Sequence, residues 1–402
     1  MWVYRQGGFD MRRLKTRLLA LILAMALMMP LTGCSLISDI AETLGITQLA
    51  PEPDYIEVTV PAETFENKFY YGRYSEAEKE TYRDIYQGLL EQKAEFIIHS
   101  KDGDQANSIL YTVLYDFPEI FWTEGHVVST TYGSRYVSMK IQYNCSKEEK
   151  ETKEAQIESM AEQILAAAPK GTDEYAKIKY VYEYLVSSVE YEDGAPDNQN
   201  IYSAMVNKKT VCAGYAKANQ YLLEKMGISC IYVTGDATNS QGTRLHAWNI
   251  VSCNGNYYYV DVTWADPVVL GEQQVKDPVI NYDYLCCSEE NLKKTHVKSP
   301  AYPYPECSAD DLNYYKGNGM YYSEAKSSEL LAAMKADINK KNSCTTFKFA
   351  NETVYGQGKD LITGSLLKEA AQYLGRKYGI KSVKCYYREE NVNRFVIYWT
   401  YK

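Results

Sequence analysis

Apolar and polar positions alternate in a telling way across "HAWNIVSCNGNYYYVDVTW", His246 to Trp264, where two aromatic-rich runs flank Asn254-Gly255. Asn-Gly between alternating runs predicts a two-residue hairpin, because both central residues of a type I′ turn take positive φ. Cys253 then pairs with Asn256, His246 faces Thr263, and Asp261 faces Trp248. Side chains two apart share a face. His246, Trp248, Tyr259, Asp261 and Thr263 therefore point the same way. His246 and Asp261 become diagonal neighbours, roughly 7–8 Å apart at the backbone and within side-chain reach. A one-residue bulge in the turn would put them on opposite faces. Two readings stay open from this pattern: a carboxylate orienting an imidazole, or two polar residues each capped separately by backbone groups.

Elsewhere the period is helical. The charged run "SKEEKETKEA" leads into an amphipathic helix with Ile157, Met160, Ala161, Ile164 and Leu165 on one face, ended by Pro169. A second helix turns Tyr175, Ile178, Tyr182 and Leu185 inward and ends near "EDGAPDN". After Cys212, apolar residues recur at Tyr215, Ala218, Leu222 and Met226, and Gly227 stands where a helix C-terminus favours glycine. Cys212 thus sits in the first turn of a helix. The segment "GDATNSQG", Gly235 to Gly242, lacks the strand-to-helix context of a phosphate loop and reads as a mobile loop bordering a cleft.

These elements group into blocks. Residues 55–145 alternate strands with two helical segments and predict a small N-terminal α+β accessory domain. Residues 146–300 form a central domain that contains the hairpin. Residues 310–402 read helix, strand, helix, strand, strand, a second α+β accessory domain. Its element order echoes that of the first block, a pattern that both duplication and chance can leave.

The N-terminus changes the picture. Arg12, Arg13, Lys15 and Arg17 precede an apolar run from Leu18 to Met29, too short to span a bilayer and laid out like a secretory signal. The run ends in Leu31-Thr32-Gly33-Cys34, which resembles the lipobox of bacterial lipoproteins. That resemblance implies a signal peptide over 1–33, lipid on Cys34, and a tether over 34–54. The expected location is the cell membrane, lipid-anchored on the extracytoplasmic face. Removing residues 1–33 takes away five basic residues and one acid, so the formal charge moves from −9 to −13. An acidic chain argues against nucleic acid as a partner, whose binders carry a basic footprint. It also argues against flat docking on anionic lipid.

Candidate chemistry follows from the helix start. Unpaired N–H groups and the positive dipole end favour a thiolate there, and a nearby imidazolium adds to this. Position alone is more often that of a buried structural cysteine. Taken together, "VCAGYA", "HAWN" and "YYVDVTWADP", in that order, resemble the transglutaminase-like superfamily over about residues 150–270. The resemblance implies an α+β, papain-like core in which the helix carrying the cysteine packs on an antiparallel sheet. It implies Cys212 as nucleophile, His246 as general base and then acid, and Asp261 as orienting carboxylate. An exported thiol enzyme acting on amide bonds of proteins or peptides through a thioester is expected, by hydrolysis or by transamidation. Tyr202 stands where some relatives place an aromatic oxyanion donor. Trp248 and Trp264 are expected to wall the substrate cleft, and Asp266 to cap the strand exit.

The alternative is a non-catalytic surface-binding module that keeps the fold. A third reading takes Cys212, His246 and Asp261 as metal ligands, a plausible set, although a thiol at a helix start suits a nucleophile better. No cofactor and no metal are expected: there is no CxxC spacing and no EF-hand-like loop. His99, His126 and His296 lack ligand-like spacing and read as solvated or hydrogen-bonded histidines. Most of the ten cysteines read as buried apolar thiols, and the thirty-nine tyrosines as amphipathic packing residues. Neither substrate nor oligomeric state is encoded legibly.

Overall fold

A computed structural model describes residues 53–239, 242–266, 280–390 and 392–401. The expected signal peptide, Cys34 and the tether up to residue 52 lie outside the described residues. Among the described residues no helix is long and apolar enough to cross a membrane. The chain divides into two units, Met1–Asp116 with Trp122–Lys147, and Phe117–Phe121 with Glu148–Lys402. The fold class is α+β.

The first unit runs α1 (Glu76–Leu90), β1 (Glu95–Ile98), α2 (Gly103–Asp116), β2 (Val127–Tyr132) and β3 (Tyr136–Ile141). Ser75 and Glu78 close a capping box at the start of α1 and satisfy first-turn N–H groups reciprocally. The strands pair antiparallel in the order β1-β3-β2. Tyr55 adds an isolated parallel bridge to Ile97 of β1.

The second unit opens with the two expected helices, α3 (Lys147–Ala167) and α4 (Glu174–Ser188). Ile157, Ala161 and Ile164 are buried on α3, and Ile178, Val181, Tyr182 and Leu185 on α4. Short strands β4 (Glu190–Tyr191) and β5 (Lys209–Thr210) pair in parallel just ahead of α5 (Cys212–Lys225). Helix α5 ends as its glycine predicts. Gly227 takes φ +79° and its N–H reaches Glu224 O, while Ile228 N–H reaches Leu223 O, a Schellman closure. Then come β6 (Cys230–Asn239), β7 (Gly242–Cys253), β8 (Asn256–Val260) and β9 (His296–Lys298), antiparallel in the order β8-β7-β6-β9.

The expected hairpin is present. Asn254 and Gly255 have φ of +51° and +81°, and Cys253 pairs with Asn256. The ladder is shorter than the alternation suggests. It stops at Asn249 with Val260, so Asp261 lies just past the strand and Thr263 belongs to a 3-10 turn. His246 pairs with Gly235 on the other side, not with Thr263. The stretch read as a mobile loop is also corrected, because residues 235–239 are strand. They pair with Gly242 to His246, and residues 235–237 also pair with β9, a second partner that overrides their turn-prone composition.

The rest of the second unit runs β10 (Tyr321–Tyr322), α6 (Ser327–Lys340), β11 (Cys344–Phe349), α7 (Glu352–Leu361), α8 (Leu367–Tyr378), β12 (Cys385–Glu390) and β13 (Arg394–Trp399). Its sheet order, β10-β11-β13-β12, has a parallel first pair and antiparallel others. Strands β11, β13 and β12 repeat the topology of β1, β3 and β2, and β10 stands where Tyr55 makes its bridge. The core gathers Leu330, Met334, Phe347, Leu374 and Phe395. Asp283 ties this sheet to the central segment. Its carboxylate takes Lys348 Nζ at 2.5 Å and lies 2.7 Å from Arg394 Nε, the latter an ion pair by distance whose angle is not that of a hydrogen bond.

Candidate active site

Helix α5 presents Cys212 because its start is wedged against β5. Thr210 Oγ1 donates its proton to Asn198 O at 2.8 Å and lies 2.7 Å from Ser203 Oγ. A Cβ at Gly214 would sit 1.9 Å from Thr210 Oγ1 and 3.0 Å from Asn200 O, so only glycine lets the first turn approach this closely. The helix is then locked to the sheet by an amide pair. Asn219 Nδ2 donates to Asn249 Oδ1 at 3.0 Å, and Asn249 Nδ2 donates to Ala216 O at 3.0 Å, all buried. Asn249 is the last residue of "HAWN", and its work is to dock the cysteine helix on β7.

His246, three residues earlier on β7, is 8% exposed. Its Nε2 lies 2.8 Å from Asp261 Oδ2, and Cys212 is near enough to act on its charge. With Nε2 committed to the carboxylate, Nδ1 is the nitrogen left for the thiol. Burial works against the imidazolium, but the Asp261 charge and hydrogen bond, with Cys212 adding to them, raise the His246 pKa to about 10. Asp261 is wholly buried. Burial would raise its pKa, yet the two histidines beside it hold the carboxyl well below the usual range. Its Oδ1 accepts the Trp264 backbone N–H at 3.2 Å, which explains why the strand ends where it does.

His296 was not legible as part of this group. It is buried, not solvated, and its Nε2 lies 3.0 Å from the same Asp261 Oδ2. It arrives on β9, thirty-five residues after Asp261. Gly235 makes the approach possible, since a Cβ there would stand 2.1 Å from Val297 O. His246, Asp261 and His296 each offer one ligand atom within 4.8 Å of the others. They could hold a metal ion only by giving up the two hydrogen bonds that already satisfy all three groups.

The remaining expected site residues differ in detail. Trp248 and Trp264 are both buried, 1% and 4% exposed, and enclose the imidazoles instead of lining an open cleft. Their rings stand 5.9 Å from that of His246 and 5.1 and 4.6 Å from that of His296. Tyr202 donates its hydroxyl proton to Gln156 Oε1 at 2.8 Å, so the one proton an oxyanion donor would offer is already used. Tyr191 is the phenol that Cys212 touches electrostatically. Burial first, and then the Cys212 charge, raise its pKa above the ordinary tyrosine value. Among the described residues nine cysteines are free thiols, five of them buried.

Residues 158–262 match the family model of the Transglutaminase-like superfamily. No curated protein matches the sequence. Solved structures with similarity include a candidate cysteine protease from Cytophaga hutchinsonii, 15% identical over 36% of this chain and 63% of that one, TM-score 0.25. A TGase is 13% identical over 52% of this chain and 60% of its own, TM-score 0.27. Menin, solved with the binding site for the Mixed Lineage Leukemia protein, is 14% identical over 74% and 66%, TM-score 0.25. The chain spans less than two thirds of the length of each. With the matched segment enclosing Cys212, His246 and Asp261, the chain contains a transglutaminase-like domain over residues 158–262.

Proposed function

We propose that the protein is a lipid-anchored, extracytoplasmic thiol enzyme that acts on amide bonds of proteins or peptides through Cys212, His246 and Asp261. The observation that carries this reading is the buried imidazole whose Nε2 lies 2.8 Å from Asp261 Oδ2, with Cys212 near enough to raise its pKa. Anchoring and export are supported by the basic, apolar, Cys34-terminated N-terminal segment. In the proposed reaction the Cys212 thiolate attacks the amide carbonyl and a C–S bond forms. His246, as imidazolium, gives its proton to the departing nitrogen as the C–N bond breaks. Water or an amine then attacks the thioester, His246 takes up its proton, and the C–S bond breaks to return the Cys212 thiolate. Asp261 keeps Nε2–H fixed throughout and stabilises the cation. The Cys212 backbone N–H, at the positive end of α5, is suited to the oxyanion.

Iodoacetamide labelling of Cys212 across pH 5–9, located by mass spectrometry, tests this reading. Rapid labelling at pH 6 that collapses in His246→Ala is the expected result. Labelling that rises only around pH ~8.5, as for an ordinary thiol, would refute the ion pair. Incorporation of a labelled primary amine, compared with amide hydrolysis, then separates transamidation from hydrolysis.

A further inference from the structure

Two imidazoles converge on one carboxylate oxygen, and the reaction outlined above uses only one of them. His296 Nε2 is 3.0 Å from Asp261 Oδ2, beside His246 Nε2 at 2.8 Å. The His296 side chain has no solvent exposure. Its ring lies against Trp248, Trp264, Tyr284 and His246, with centroids 4.6–5.5 Å away. We propose that His296 is a positioning residue: a neutral imidazole whose Nε2–H donates to Asp261 Oδ2 and fixes the carboxylate that aims His246 at Cys212. This inference rests on the catalytic reading above.

The proton assignment follows from the partners. An ionised carboxylate only accepts, so both histidines must present N–H at Nε2. The far nitrogen of His296, Nδ1, lies 2.8 Å from Thr295 Oγ1. If Nδ1 also carried a proton the ring would be a buried cation. Burial opposes that, outweighs the pull of Asp261, and lowers the His296 pKa. Nδ1 therefore accepts and the Thr295 hydroxyl donates. Thr295 Oγ1 in turn lies 3.2 Å from Tyr284 Oη, whose proton it can accept. Among the described residues the titratable groups shown to face His296 are Asp261, His246 and Tyr284, and the indole rings of Trp248 and Trp264 pack against it as well. From Tyr284 through Thr295 and His296 each donor points the same way, toward Asp261. With Trp264 N–H on Oδ1, the carboxylate is held by three donors.

Without His296 the Oδ2 atom keeps only the hydrogen bond to the group it has to orient. A donor lost from a buried charge corresponds to roughly ten- to hundredfold in rate. The test is labelling of Cys212 by iodoacetamide over pH 5–9 in the full mature chain. Wild type is compared with His296→Leu, His296→Gln and Thr295→Val, each checked for native near-UV dichroism. His296→Leu is expected to label roughly ten- to hundredfold more slowly at pH 6. His296→Gln, whose amide N–H reaches toward the place of Nε2–H, recovers most of the rate. Thr295→Val leaves the ring but removes the donor to Nδ1, and falls between the two. Wild-type rates in His296→Leu and Thr295→Val overturn the inference and leave the catalytic reading standing. Equal loss in Gln and Leu variants also overturns it, because space filling and not the donor would then matter. If His296→Leu does not fold, Thr295→Val decides alone. If wild type itself shows no labelling at pH 6, the catalytic reading has failed and this inference falls with it.

Discussion

Gly235→Ala is a substitution whose sign depends on which of two effects wins. Replacing glycine with alanine where the backbone tolerates it stabilises by about 0.4–1 kcal/mol, because the unfolded chain loses freedom. Here the added Cβ would lie 2.1 Å from Val297 O and 2.8 Å from Trp248 Cη2. A carbonyl oxygen in a ladder cannot rotate away as a side chain can, so β9 must retreat by roughly 1 Å to reach ordinary contact. That displacement strains the flanking bonds Thr238 N–H to Thr295 O, 2.8 Å, and Ser299 N–H to Thr234 O, 2.9 Å. Each contributes about 0.5–1.5 kcal/mol, and the His296 bond to the Asp261 charge about 1.5–3 kcal/mol. Sterics therefore win, and the variant should be destabilised by about 2–5 kcal/mol. Urea unfolding at pH 7 followed by tryptophan fluorescence reads this directly, since Trp248 and Trp264 enclose the site. A variant as stable as wild type, or more so, would show that β9 does not press on Gly235.

Two further expectations concern charge. Asp283→Ala should cost more than Lys348→Met. The first leaves Lys348 and Arg394, both buried, without their shared anion, about 3–5 kcal/mol for a broken buried pair; the second leaves Asp283 against Arg394, and denaturant melts of the two variants give the comparison. For His246 the folded pKa is raised to about 10 from an unfolded value of 6.5. Its contribution to stability is thus complete below about pH 6.5 and is lost as pH rises through about 10. Wild type should accordingly lose more unfolding free energy between pH 7 and 10 than Asp261→Asn, in which the raising charge is gone. Parallel slopes in the two proteins would refute the coupling.

Alternation and turn chemistry made the hairpin legible, because Asn254-Gly255 satisfies a purely local requirement for two positive φ values. The same is true of α5, which starts at Cys212 and closes at Gly227 through bonds that reach no further than five residues. The two helices of the α3 and α4 segments were readable for a similar reason. Their apolar stripes follow a helical period whatever they pack against. Composition misled at 235–239, where glycine, aspartate and asparagine favour a turn but pairing with β7, and at 235–237 with β9 as well, compels extension. The aromatic positions also misled. A tryptophan beside a candidate site looks the same in sequence whether it walls a cleft or is buried behind the imidazole.

What the sequence by itself determined is the set of local elements, each placed by periodicity or by a turn within its own segment; the candidate roles of Cys212, His246 and Asp261 came from the resemblance of three motifs to a family. What only the tertiary structure decided is how many partners the carboxylate has. Asp261 meets His296 across thirty-five residues and through a three-residue strand, and that meeting depends on Gly235 having no Cβ and on β6 accepting pairs on both edges. Such a contact leaves no periodic trace along the chain, because it is fixed by the space between strands and not by the order of residues within one.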